Sequence, residues 1–142
     1  MTKGLIAKST IEINTDIAKV WDALTNPELI KQYFFGTEAV SDWKAGSPIV
    51  FRGTWEGKPY EDKGTILETI PNKLFRYNYW SSFSGTADIP ENYANISYIL
   101  SGENGHTVLN ILQDGVATEE SKQHSEGNWG TVLKGLKKLL EN

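Results

Sequence analysis

Cysteine is absent from the chain. That excludes disulfides, Cys-ligated zinc, iron–sulfur clusters and thiol catalysis. Histidine is scarce: His106 and His124 are the only two. A metal site would need both of them plus carboxylates, and nothing has ligand spacing, so no metal or other cofactor is expected. No apolar run approaches the ~20 residues of a membrane span. The start, Met1-Thr2-Lys3-Gly4-Leu5, has neither a signal-peptide apolar region nor a small-residue cleavage site, so a cytoplasmic location is expected. Basic groups are outnumbered, with 14 Lys and Arg against 18 Asp and Glu and a net charge of −4. A phosphate backbone asks for a basic face, so a nucleic-acid partner is not expected. No G-x-S-x-G elbow, P-loop, G-x-G-x-x-G or H-E-x-x-H is present.

What the chain does have is ordinary length and many rings. At 142 residues it is read as one domain, 1–142, long enough to bury its own core. Five Trp, six Tyr and five Phe supply large apolar surfaces that either fill a core or line a ligand pocket.

The hydrophobic period changes along the chain. Ala7 to Ile13 alternates as a strand. Ile17, Val20, Trp21 and Leu24 fall on one helical face, with Asn14 or Thr15 as the cap. Asn26-Pro27 opens a second short helix with Ile30, Tyr33 and Phe34 on its apolar face and Gly36 at its end. From Thr37 to Gln113 the period is mostly two. Strands are expected over Val40 to Trp43, Ser47 to Trp55, Tyr60 to Ile70, Leu74 to Trp80, Tyr93 to Ser101 and Thr107 to Gln113. Glu56-Gly57-Lys58-Pro59, Pro71-Asn72 and Gly102-Glu103-Asn104-Gly105 read as turns, and Ser81 to Asn92 as a long loop bordering a cavity mouth. Thr118 to Glu141 is a long helix capped by Thr118, with Trp129, Val132, Leu133, Leu136, Leu139 and Leu140 as its apolar stripe. Its first half continues that stripe with polar Ser121, His124, Ser125 and Asn128, a pattern that fits either a cavity end or a solvated end. Short turns between successive strands imply an antiparallel sheet, and the long helix is its cover.

Three segments carry a family resemblance. Val20-Trp21-Asp22-Ala23-Leu24-Thr25-Asn26-Pro27-Glu28 is similar to an opening VW-x-ALT-x-PE helix pair. Gly64 to Leu74 is similar to a G-x-V-x-E-x-x-P-x-x-L hairpin. Gly127, Trp129, Leu133, Leu136, Lys137 and Leu140 are similar to a closing GW-x-x-x-L-x-x-L-K-x-x-L helix, although Asn128 splits the Gly-Trp pair. In this order they resemble the START-like (SRPBCC, helix-grip) superfamily, and within it the activator of Hsp90 ATPase homologue family. The resemblance implies an α+β helix-grip fold: a curved antiparallel sheet of about six or seven strands, two short helices after strand one, and a C-terminal helix gripped by the sheet around a cavity. It implies a small apolar or amphipathic ligand there. The co-chaperone that names the family carries a separate N-terminal domain important for chaperone contact, which a chain of this length is not expected to hold.

The candidate ligand contacts are Phe51, Trp55, Glu68, Tyr77, Tyr79, Tyr98, His124 and Asn128. Rings supply an apolar wall and Tyr hydroxyls fix an amphipathic ligand's orientation. Glu68 shares parity with Ile66 and Ile70, so it points inward if both of those do, and then needs Arg76 or a Tyr hydroxyl as partner. His106 follows a hairpin turn and is expected in solvent. Arg52 and Arg76, the only arginines, have polar parity, so a neutral ligand is expected rather than a phosphorylated one. The leading reading is a small-molecule container without catalytic residues. Two alternatives stand beside it. One is a chaperone-interacting module. The other is a cyclase- or hydratase-type enzyme drawing an acid–base pair from Glu68, Asp88, Glu91 and His124.

Overall fold

The computed structural model describes residues 5–34, 36–81, 87–103, 105–116 and 118–141. Seven strands form one antiparallel sheet in the order β1-β7-β6-β5-β4-β3-β2. They are β1 (Leu5–Ile13), β2 (Glu38–Ser41), β3 (Pro48–Trp55), β4 (Lys58–Ile70), β5 (Leu74–Tyr79), β6 (Ala94–Glu103) and β7 (His106–Val116). Helices α1 (Ile17–Thr25) and α2 (Pro27–Tyr33) follow β1, and α3 (Glu119–Glu141) closes the chain. The fold is α+β, as the resemblance implied, and the sheet is antiparallel, as the short turns implied.

Local chemistry sets most element ends. Asn26 Oδ1 accepts the Glu28 N–H at 3.0 Å and Pro27 takes the first turn, so α2 starts as expected. Thr118 Oγ1 accepts the Ser121 N–H at 3.0 Å at the head of α3. The cap of α1 differs from the reading: Asp16 holds that position, without a side-chain bond, rather than Asn14 or Thr15. Helix α2 stops at Tyr33, before Gly36. β2 lies two residues earlier than expected. Trp43 sits in the left-handed region at φ 62°, which breaks an extended strand before it. Strands β6 and β7 run on to Glu103 and from His106, so the connection between them is tighter than the four-residue turn expected.

The strands put one face inward. Ile13, Ile49, Ile66, Ile96, Leu109 and Ile111 are all but inaccessible, and Val132, Leu133 and Leu136 of α3 pack onto them. Helix α3 also closes an edge of the sheet. The unpaired side of β1 is taken up by its side chains: Glu126 Oε2 accepts the Lys8 N–H at 2.9 Å, and Glu141 Oε2 accepts the Asn14 N–H at 2.8 Å. Lys137 Nζ donates to the Glu12 carbonyl at 2.8 Å. An open row of strand donors and acceptors invites another strand, and these bonds remove the invitation.

One bulge governs the outer face. Ile66 pairs with Tyr77 but Glu68 pairs with Arg76, so β4 carries an extra residue at Leu67. Beyond it the alternation inverts. Thr69 sits opposite buried Phe75, while Glu68 and Ile70 turn outward.

Candidate functional site

Alternation on the inner face brings Phe51 of β3, Phe75 and Tyr77 of β5 and Tyr98 of β6 side by side, all buried. Ring centroids are 5.8 Å apart for Phe51–Tyr77, 5.9 Å for Phe75–Tyr98 and 5.5 Å for Tyr77–Tyr98. Phe34, at the end of α2, stacks on Phe51 at 6.1 Å. Trp129 of α3 meets Phe34 and Tyr98 edge-on, each at 6.0 Å, and its Nε1 donates to Gln113 Oε1 at 2.8 Å. Trp43 leans on Phe75 at 6.1 Å. Its N–H is held by Ser41 Oγ at 3.0 Å, which helps keep a bulky residue at positive φ.

The polar groups in this box are few and specific. The Tyr77 and Tyr98 hydroxyls are 2.7 Å apart. One proton lies between them, and each hydroxyl has only one to give. The second proton therefore has no acceptor among the described hydrogen bonds, although each oxygen has its partner. Tyr33 donates to the Ala23 carbonyl at 2.9 Å. Tyr79 lies 5.9 Å from Phe51 and donates to Asp62 Oδ2 at 2.5 Å. Burial pushes the Tyr33, Tyr77 and Tyr98 phenols far above their ordinary pKa, and does the same to Tyr79, helped by the Asp62 carboxylate. All four are neutral donors rather than bases.

The space among these rings is small. A cavity of about 10 Å³ is lined by Leu24, Ile30, Phe34, Trp43, Ile49 and the four inner rings, with Tyr33 beside them. That is room for roughly one water. A larger, open groove of about 370 Å³ lies on the other face of the sheet, between Lys63, Thr65, Asn78, Pro90 and Tyr93. Lys63 pairs there with Asp88 at 2.5 Å, and Tyr93 donates to the same carboxylate.

The structure brings together Phe51, Tyr77 and Tyr98 of the sequence candidates, with Tyr79 at their margin. It separates the others. Glu68 lies on the outer face, 3.7 Å from Arg76, because the bulge at Leu67 breaks its parity with Ile66. His124 and Asn128 are exposed on α3, so the polar half of that helix meets water. Trp55 ends β3, and its side chain lies outside those described, as does the 82–86 part of the long loop. His106 is half-buried rather than solvated, with Nδ1 3.1 Å from Asn14 Oδ1 and Nε2 3.1 Å from Glu12 Oε1. Asp88 and Glu91 are exposed, so none of the four acid–base candidates enters the box. Among the described residues no group of three or more His, Asp or Glu could hold a metal, and no helix is long and apolar enough to cross a membrane. Asp62 was missed. Its signal was available: it precedes Gly64 and Ile66 at strand parity, and it is only 8% exposed.

A curved antiparallel sheet closed around a C-terminal helix, with an aromatic interior between them, defines the helix-grip class. The chain belongs to the Activator of Hsp90 ATPase homolog 1-like protein family, whose model matches residues 14–141. It is similar to the solved structure of ChR145 from Cytophaga hutchinsonii, with 48% identity, a TM-score of 0.86, and coverage of 100% of this chain and 97% of that one. The fold also matches the Aha1 dimer from Colwellia psychrerythraea at 20% identity and a TM-score of 0.75, over 96% of each chain. DynU16, a protein in the dynemicin biosynthetic locus, matches at 14% identity and a TM-score of 0.80, over 96% of this chain and 47% of that one. No curated protein matches the sequence.

Proposed function

We propose that this chain is a non-catalytic container for a small, largely apolar or amphipathic molecule, held in the gap that the sheet shares with α1 and α2, with Trp129 of α3 against its rings rather than in its lining. The observation that carries the reading is the Tyr77–Tyr98 pair. Two neutral hydroxyls sit among Phe51, Phe75 and Trp129 with one donor proton to spare. A ligand with one acceptor, such as a carbonyl or ether oxygen on an apolar body, takes that proton and lays its body against the rings. The present gap holds about one water, so occupancy requires rings to move. Phe34 and Trp43 are the ones positioned to do so, since both line the gap and are only partly buried. Among the described residues, the one buried carboxylate beside the rings, Asp62, is engaged by the Tyr79 hydroxyl.

The test is tryptophan fluorescence, with Trp43 and Trp129 in contact with the box. Aromatic ketones, fatty compounds, nucleotides and sugar phosphates are titrated in parallel. Saturable change with the apolar ketones, weakened in Tyr77→Phe and Tyr98→Phe, is expected. No saturable change with any apolar compound would remove the container reading. A response to the phosphates alone would show that the polarity assigned to the box is wrong.

A further inference from the structure

The outer face of the sheet presents an organised surface that the helices do not use. Ile70 of β4, Leu74 of β5 and Ile99 of β6 are direct cross-strand partners, so their side chains form one continuous row across three strands. Ile70 and Ile99 are 39% and 37% exposed, and Leu67 beside them is 42% exposed. Two residues along each strand runs a second row, Glu68, Arg76 and Ser97. Its acid and base are both nearly half-exposed and stand 3.7 Å apart. That separation is longer than the ~2.7–2.9 Å of a well-formed charge-assisted bond. Both groups therefore keep capacity for another partner, and Arg76 has five donors to offer. The bulge at Leu67 creates this arrangement: it holds Leu67 and Glu68 on the outside together and sets Glu68 opposite Arg76.

We propose that this outer face docks a second copy of the chain, sheet against sheet about a two-fold axis, with the Ile70–Leu74–Ile99 row of each protomer against that of its partner. A two-fold axis brings each patch against itself, so a surface must carry its own complement. This one does. Glu68 and Arg76 are adjacent and opposite, so rotation carries the acid of one copy toward the base of the other. The pair contributes no net charge, which gives neither an acidic nor a basic foreign partner, nor an anionic lipid surface, an electrostatic reason to prefer this face. Aligned sheets pack at roughly −30°, close enough to parallel for a three-strand row to meet its own image. The patch is a handful of side chains, so the association is weak and reversible, at the low end of interface size.

Sedimentation velocity over a concentration series tests it, with circular dichroism and melting curves confirming that each variant is folded. The unaltered chain is expected to show a concentration-dependent dimer. Glu68→Arg and Arg76→Glu, each alone, place like charges across the axis and should weaken self-association by about tenfold or more. Mixing the two variants in equal amounts should restore dimers, because every cross-axis pair is then opposite. Ile99→Lys should abolish dimers in any mixture. A chain that stays monomeric throughout the series overturns the proposal. So does a dimer indifferent to Ile99→Lys, or a failure of the mixture to recover what the two single reversals lose.

Discussion

Tyr77 and Tyr98 hydrogen-bond to each other and, among the described hydrogen bonds, to nothing else. Removing one hydroxyl strands the other in a ring-lined interior, at a cost of about 1–3 kcal/mol. Removing both leaves two phenylalanines of nearly the same shape and no stranded group. Tyr77→Phe and Tyr98→Phe should therefore each destabilise by that amount, while the double variant lies close to the unaltered chain. Chemical denaturation of all four species measures this. Additive losses would show that each hydroxyl has an independent partner. Gly64 is constrained by backbone instead. A Cβ there would run into the Asn78 carbonyl oxygen, which Gly64 must approach because Asn78 Oδ1 accepts the Thr65 N–H at 2.7 Å. Gly64→Ala should cost about 2 kcal/mol or more, since a backbone atom cannot step aside as a side chain can. An unchanged midpoint would mean that the two strands part freely there. This gives a steric reason for the glycine that opens the hairpin motif in the sequence. The acid four residues on, Glu68, could not be placed by the same reading, because a period of two has no term for an inserted residue.

At the level of elements, α3 couples packing to charge. Leu136 is fully buried against the sheet, so Leu136→Ala should cost about 2–5 kcal/mol in a denaturation experiment. The other contribution is electrostatic. Glu126 is held below the ordinary glutamate range first by the Lys8 N–H, and Glu141 by the Asn14 N–H and then Lys137. A carboxyl whose folded pKa is depressed binds its proton more readily in the unfolded chain. Its contribution is therefore complete above the unfolded glutamate pKa, and it is lost as pH falls through the lower folded value. Stability should decline on acidification in that window. The combined Glu126→Gln and Glu141→Gln variant should show a shallower acid limb than the unaltered chain; an equal slope in both would assign acid sensitivity elsewhere. Both helical stripes, the Asn26-Pro27 start and the Thr118 cap were legible, because caps and periods are local. The bonds from α3 to β1 were not, since they join residues more than a hundred positions apart and leave no periodic trace. The polar half of α3 was legible only as a choice, and exposed His124 and Asn128 decide it for water.

Across the whole molecule, the order of periods led to an antiparallel sheet covered by the long helix, though not to the pairing of β1 with β7, and the candidate contacts included three of the four rings that now touch on the inner face, Phe51, Tyr77 and Tyr98. How completely they fill the space could not be read. Facing follows from alternation, whereas packing depends on rotamers and on what α2 and α3 bring from above. The same sharing of rings bears on cooperativity. Strands β2, β3 and the first half of β4 pair among themselves, while the second half of β4, from Ile66, pairs with β5, a division that could make the first group a separate unit. Their ring Phe51, however, lies 5.8 Å from Tyr77 of β5 and stacks beneath Phe34, which itself meets Trp129 of α3. At the other edge, β1 pairs with β7 from Ile13↔Thr107 onward, so the first strand cannot form until nearly the last is made. A core whose members come from both halves and both ends has no part that can leave at little cost. Unfolding should therefore be two-state, and refolding slow for a chain of this size because so many pairings are distant. Far-ultraviolet circular dichroism, which follows the strands, and tryptophan fluorescence, to which Trp21 and Trp43 against Phe75 and Trp129 against Tyr98 contribute from the core, should give superimposable denaturation curves. A fluorescence transition at lower denaturant than the circular dichroism would mean that the aromatic box opens before the sheet melts. In that case the ring movement required for a ligand to enter would be part of the native ensemble rather than of global unfolding.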